Sequence, residues 1–369
     1  MKTVTIVQRR LTHYRVPFFE DLKCNLEENG INLKLIYGSG ASKELLKNDG
    51  SLISWADQVP IRYLFGERFN WLSFSKSVRQ TDLLIITQEN SQLANIKALI
   101  NRPSKKIAFW GHGANFQGND NSVREHLKRC TNHLVDWYFA YTDASVQQVQ
   151  KTGFRLDKIT CVNNSICTKS IDAISAIRDP VILETDRIKL GLGAGPVGVF
   201  IGSLYREKRL EFLFTAADLV KNVISDFQLV IVGSGPDVEI VQQYAENRSW
   251  VKFVGALHGE EKARILRLAS IKLNPGLVGL GILDAFAAGV PFITTDCGIH
   301  SPEIAYLNSE NGIMTQDSII DFVEGCIRIL SNPKLAERLS RGCITSASKY
   351  SLQNMVTNFS SGVIKCLDQ

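Results

Sequence analysis

Short apolar runs recur along this chain, and helix-patterned stretches lie between many of them. In the first half the runs fall at 3–8, 33–37, 83–86, 106–110, 135–141 and 158–162. Residues 17–29 put Phe18, Leu22 and Leu26 on one helical face, and Gly30 stops that helix. A further helix is expected near 122–133. Strands that alternate with helices predict a parallel sheet covered on both faces.

The alternation then breaks. Residues 168–197 hold Asp172, Asp179, Pro180, Asp186, Gly191, Gly193, Gly195 and Pro196, a composition that reads as a linker. After it the pattern restarts. Strands are expected at 197–201, 228–232, 251–254, 271–274 and 291–294. Helices are expected at 210–220, 238–246, 261–268 and 280–288, and from 317 to the end. The expected fold is α/β, two doubly wound Rossmann-like domains facing a cleft. Domain one covers 1–170, the linker 171–196, and domain two 197–350. A terminal helix over 351–369 crosses back to the first domain. In such sheets ligands sit beyond the carboxyl ends of the strands.

Composition narrows the class. The 369 residues are 44% hydrophobic and 21% charged, ordinary for two globular domains. The eight cysteines form no CxxC pair, which argues against a zinc site or a disulfide framework and for free thiols in a reducing compartment. No run of apolar residues is long enough to span a bilayer. The opening run is too short for a signal peptide and meets Arg9 and Arg10 at once. The expected location is cytoplasmic. The net charge of +5 is uneven: residues 1–184 carry 24 Lys and Arg against 18 Asp and Glu. That excess has two readings, a solvated basic face or peripheral contact with an anionic membrane. Nucleic-acid binding is not expected, because basic residues are neither clustered nor interleaved with aromatics.

Three glycine-bearing segments follow strands. Gly202-Ser203-Leu204-Tyr205-Arg206-Glu207-Lys208-Arg209 brings three cations to a helix start, an arrangement suited to an anion. Gly233-Ser234-Gly235-Pro236 is a tight turn that would admit a ligand to the backbone. Gly276-Leu277-Val278-Gly279 leads into a helix carrying Asp284, the one carboxylate between Glu261 and Asp296. A single acid in an apolar helix needs a partner, and two ribose hydroxyls would suit it. In the first half, His112 stands between two glycines after the run 106–110. Arg10, His13 and Arg15 follow the first strand, either as contacts for an anionic acceptor or as plain surface. No D-x-D occurs, so no metal is expected on a diphosphate.

The ordered motifs G-x-L-x-x-x-K-R, V-G-x-G-P, F-V-G, P-G-x-x-G-x-x-x-L-D-A-x-A-x-G-x-P, P-E and N-G resemble the donor domain of family 4 retaining glycosyltransferases of the GT-B fold. The resemblance covers Phe200 to Gly312. It implies that Lys208 holds the donor diphosphate and Asp284 the ribose, that Gly279 lies by the donor sugar and phosphates, and that Val254 and Gly255 line the base pocket. Glu303 matches a more structural P-E element. His112 resembles a histidine that contacts the donor sugar. The departures are Ser203 where the family has arginine, with Arg206 as the substitute cation, and Gly276 where the first acid of E-x7-E is expected. The second acid is shortened to Asp284. The implied reaction is front-face displacement with retention, the diphosphate taking the acceptor's proton, and no cofactor beyond the nucleotide diphosphate-sugar co-substrate. The acceptor is a glycan or glycolipid. The competing reading is a binding or scaffold subunit that keeps the fold without turnover.

Overall fold

The computed structural model describes residues 1–45, 49–75, 77–89, 91–113, 131–177 and 179–369. Most of the helix expected near 122–133 lies outside the described residues. The chain divides into two units: Met1–Cys167 with Ser351–Gln369, and Thr168–Tyr350.

The first unit holds a seven-stranded sheet. Its strands are β1 (Lys2–Gln8), β2 (Ile31–Tyr37), β3 (Asp57–Gln58), β6 (Leu83–Thr87), β7 (Lys106–Gly111), β8 (Trp137–Ala140) and β9 (Ile159–Cys161). They lie side by side in the order β3-β2-β1-β6-β7-β8-β9, all parallel. Between β3 and β6, β4 (Ile61–Leu64) and β5 (Phe69–Leu72) form a separate antiparallel pair.

Both faces of the seven-stranded sheet are buried, because successive strand residues point to opposite sides. Val4, Ile6, Leu33, Leu35, Leu83 and Ile85 face one core with Phe18, Phe19 and Leu22 of helix Val16–Glu28. Val7, Ile36, Leu84 and Ile86 face the other, with Ala94 and Ala98 of helix Leu93–Asn101. The terminal helix Leu352–Asp368 belongs to the first core. Phe359 stacks on Phe139 at 4.3 Å and meets Trp110 at 5.1 Å. Gly362 allows this closeness, since a Cβ there would lie 2.5 Å from Thr160 Oγ1.

The second unit holds β10 (Val197–Ile201), β11 (Gln228–Val232), β12 (Val251–Phe253), β13 (Ile271–Leu273), β14 (Phe292–Thr295) and β15 (Gly312–Thr315). Their order is β12-β11-β10-β13-β14-β15, again all parallel. The segment expected as a linker, 171–196, is not one. It carries most of helix Lys169–Ser175 and all of helix Pro180–Lys189, and both pack on helix Gly259–Leu268. Asp179 caps the second of these through Val181 N–H at 2.8 Å, with Pro180 as first helical residue. Asp186 then pairs with Arg267, whose side chain is 1% exposed. Removing one partner of a pair this buried leaves the other charge uncompensated, at about 3–5 kcal/mol. Asp179-Pro180 is the local helix-start signal of this segment.

Candidate functional site

In the second unit the strand order reverses between β10 and β13. The chain runs outward from β10 through β11 and β12, then returns to the other side of β10. Loops leaving a sheet at such a point diverge and open a crevice at the strands' carboxyl ends. The two loops here are 202–209, after β10, and 274–280, after β13.

The first loop is held from beside it. Leu204 N–H donates to Ser234 O at 2.8 Å, and Gly202 N–H to Val232 O at 3.1 Å. Gly233 N–H donates to Gly255 O at 2.8 Å, which ties in the turn after β12, next to Val254. A Cβ on Gly233 would lie 2.0 Å from Gly202 O, and one on Gly235 2.2 Å from Leu204 O. These two glycines therefore let one loop touch another. Their lack of a side chain packs the two turns together. Ser203 is exposed on the same loop.

The loop then turns through a short 3-10 segment, Arg206–Lys208. Lys208 Nζ donates to Leu277 O at 2.5 Å and lies 5.7 Å from the Tyr205 ring centroid. Burial pushes this ammonium down to about 8. Its hydrogen-bond acceptor is a neutral carbonyl, with no carboxylate to balance the charge.

The second loop packs directly on the first. Leu277 N–H donates to Glu207 O at 2.8 Å. A Cβ on Gly276 would lie 2.2 Å from Glu207 O and 2.7 Å from Lys208 O. Gly276 therefore stands where no side chain fits. Where the first acid of E-x7-E was expected, the chain makes a backbone contact between the two loops. Asn274 Nδ2 donates to the carbonyls of Gly276 and Leu277 at 3.1 and 3.2 Å. Val278 N–H donates to His300 Nδ1 at 3.1 Å, and His300 Nε2 meets Thr295 O at 2.7 Å. His300, buried and unremarked in the sequence, thus ties the loop to β14. Gly279 differs from Gly276: its Cβ would meet only Ser301 Oγ, at 3.7 Å. There the backbone stays open to an approaching molecule.

Asp284 lies in the first turn of helix Gly281–Ala288 and is 5% exposed. It has a partner the sequence did not suggest. Lys262, in helix Gly259–Leu268, donates from Nζ to Asp284 Oδ1 at 2.9 Å. Beneath lies Lys272 of β13, 2% exposed, with Nζ 2.5 Å from Gly281 O. Burial pushes Lys272 down to about 8, and the charge of Asp284 partly offsets that.

Residues 195–332 match the model of the family described as Glycosyl transferases group 1. The match spans a little over a third of the chain and takes in both loops of the crevice. The chain is 23% identical over 303 residues to an uncharacterized glycosyltransferase of Haemophilus influenzae, spanning 78% of this chain and 79% of that protein. It is 25% identical over 208 residues to the lipopolysaccharide 1,6-galactosyltransferase of Salmonella typhimurium, 53% of each. Among solved structures, Anabaena Alr3699/HepE in complex with UDP aligns with a TM-score of 0.72 at 14% identity, covering 99% of this chain and 100% of that one. The likeness establishes the fold, two doubly wound α/β units of GT-B type.

Within the matched segment, Arg209 is not a free cation. It pairs with Asp317 and reaches Thr295 Oγ1 at 3.3 Å and Pro275 O at 3.5 Å, clamping the second loop from behind. Arg206 is exposed beside the crevice. Glu303 is 3% exposed in the short helix Pro302–Tyr306.

The other predicted residues lie in the first unit. Arg10 makes a two-pronged ion pair with Asp49, at 2.6 and 3.1 Å. Arg15 is 9% exposed, with its guanidinium 5.2 Å from the Trp110 ring centroid and 5.3 Å from that of Tyr14. Arg10 is thus paired with an acid, and Arg15 is buried against aromatic rings. His13 is exposed, its backbone N–H on Asp49 O at 2.9 Å. Arg10 and Asp49 line a cavity of about 290 Å³ with Tyr37, Gly38, Glu44 and Gln58. His112 follows β7 and is exposed, its ring 4.5 Å from that of Tyr141. Ala114 and Asn115, next along the chain after Gly113, lie outside the described residues.

Proposed function

We propose that this protein is a retaining glycosyltransferase. It moves a sugar from a nucleotide diphosphate-sugar to a glycan or lipid-linked acceptor, in bacterial-type surface polysaccharide synthesis, without a metal. The observation that carries this reading is Lys208. It is a partly buried lysine with only carbonyl oxygen as hydrogen-bond acceptor, at the strand-order switch point of the segment that matches the group 1 family. A cation held this way costs stability until an anion arrives, and a diphosphate gaining charge as its sugar leaves is such an anion. Arg206 adds a second positive charge at the same edge.

The acceptor oxygen bonds to the sugar's anomeric carbon as the bond to the diphosphate breaks, on the same face. The acceptor's proton passes to the departing diphosphate, so no side chain must act as nucleophile. His112 orients the sugar by hydrogen bonding. Asp284 and the backbone around Gly279 hold ribose and phosphates, and Val254 lines the base pocket. Arg10, in a mixed-charge cavity suited to hydroxyl groups, meets the acceptor together with the exposed His13. The working location is the cytoplasmic side, with peripheral contact to an anionic membrane. Among the described residues no helix is long and apolar enough to cross one.

A second reading, a nucleotide-sugar-binding subunit without turnover, draws on Gly276, where packing excludes the acid that would touch the transferred sugar. One experiment separates the two. Thermal shift against UDP, GDP, dTDP and their sugars identifies the ligand, since a ligand that binds only the native state raises its melting temperature. Release of nucleotide from the stabilising sugar donor, with acceptor glycolipid and excess chelator present, then reports turnover. Binding with turnover upholds the enzyme. Binding without turnover upholds the subunit, and turnover lost only with chelator overturns the metal-free step.

A further inference from the structure

Asp284 offers half of what a sugar diol needs. Each ribose hydroxyl carries one hydrogen to donate and lone pairs to accept with. A carboxylate satisfies only the donating side. Oδ1 of Asp284 already accepts from Lys262, while no described residue hydrogen-bonds Oδ2. One carboxylate oxygen and one ammonium therefore stand together, an acceptor beside a donor. That pairing complements a hydroxyl on both sides.

The placement of Lys262 fits such a role. It lies in the first turn of the helix that follows β12 and the Val254–Gly255 turn, the segment assigned to the base. Asp284 comes from the helix that follows the phosphate-side loop. The two side chains thus meet from the elements expected on either side of a ribose. A purely structural salt bridge has no need of the third charge present here. Lys272 is buried beneath the same acid within its electrostatic reach and hydrogen-bonds only a carbonyl. With Lys272 holding the acid's charge from below, Lys262 can turn toward a ligand without leaving Asp284 as an isolated buried anion.

We infer that Lys262 is a ribose-binding residue. Lys262 and Asp284 bind the nucleotide's vicinal hydroxyls as a pair, Asp284 accepting and Lys262 donating. The shorter aspartate is thereby supplemented by a lysine from the neighbouring helix. This rests on the reading of Asp284 as the ribose acid, and the test separates the two.

The probes are UDP and GDP, each compared with its 2′-deoxy form, titrated by calorimetry into wild type, Lys262→Met, Lys262→Arg and Asp284→Asn. For whichever ribonucleotide binds, the wild type should prefer it over the deoxy form by about tenfold, the worth of one hydrogen bond to a charged group. Lys262→Met should weaken the ribonucleotide about tenfold, leave the deoxy form nearly unchanged and so erase the preference. Lys262→Arg should restore part of it. If Lys262→Met weakens both forms equally, or keeps the preference while Asp284→Asn loses it, Lys262 is only a structural partner and the inference is wrong. If Asp284→Asn keeps the preference, the ribose assignment itself fails. A wild type that binds the deoxy form as well as the ribose form overturns the pair as a diol clamp. Melting curves for each variant separate lost folding from lost recognition.

Discussion

The loops that leave the two sheets at their strand-order switch points treat positive charge in opposite ways. After β1, Arg9 pairs with Glu44 and, at 3.2 Å, with Glu89, while Arg10 pairs with Asp49. After β10 and on β13, Lys208 and Lys272 hydrogen-bond, among the described residues, only the carbonyls of Leu277 and Gly281. In the first loop Arg9 and Arg10 are each matched by acids. In the second, Lys208 is a cation whose full stabilisation waits for an anion, while Lys272 lies within reach of Asp284. The sequence shows basic residues after β1 and β10 alike, so the contrast lies in what each fold brings beside them.

The largest test of this contrast is Lys208→Ala. Removing a fixed donor from a site of developing charge should lower turnover by about a hundredfold or more. Near-wild-type rates with the donor found by thermal shift would end the assignment. The packing side of the site is tested by two glycines. Gly276→Ala places a methyl against Glu207 O and should cost about 1–3 kcal/mol in chemical denaturation, with nucleotide binding lost as the loops part. Gly279→Ala has room for its methyl, so it should keep stability and weaken nucleotide binding alone. Equal midpoints for the two variants would refute the packing argument.

pH should separate the two regions by sign. Lys208 and Lys272 are pushed from 10.5 to about 8, so the folded state holds fewer protons than the unfolded between those values. Their contribution to stability therefore rises with pH from about 8 to 10.5. Nucleotide affinity runs the other way, falling above pH 8 by up to about tenfold per unit as Lys208 loses its charge. Glu44 is drawn from 4.5 to about 2, first by its hydrogen bond from Arg9. Its contribution is present above 4.5 and is lost as pH falls toward 2. Denaturation midpoints and calorimetry across pH check both directions, and a nucleotide affinity flat from pH 7 to 9.5 would remove the anion-awaiting lysine. The smallest expected effect is Arg10→Gln. It should leave nucleotide affinity within about twofold and cost at most about 1 kcal/mol of stability, since an ion pair near the surface is worth little.

The strands of the second sheet were the most legible part of the molecule. Residues 197–201 and 228–232 are strands at those bounds, because fully buried parallel strands are continuous apolar runs between turn signals. The two-residue β3 and the pair β4 and β5 were not seen, being short and polar on one side. Helix Pro180–Lys189 was hidden by exposed apolar residues on a weakly amphipathic segment. In the site, the motif spacing named Lys208 and Asp284 but missed Lys262, Lys272 and His300. Lys272 had left a trace, as a lone charge within the apolar strand Ile271–Leu273. His300 left none.

The sequence by itself determined two doubly wound units and the loops that carry their chemistry. Those follow from hydrophobic period and from glycine, which act over a few neighbouring residues. Only the tertiary structure decided what each charge meets. Asp284 meets a lysine 22 positions earlier, Arg10 an aspartate 39 positions later, and Gly276 the backbone of a loop nearly 70 residues before it. Such partners depend on which loops the strand order brings to one edge. No local pattern encodes that, because side chains far apart in sequence become neighbours only after the sheet has formed.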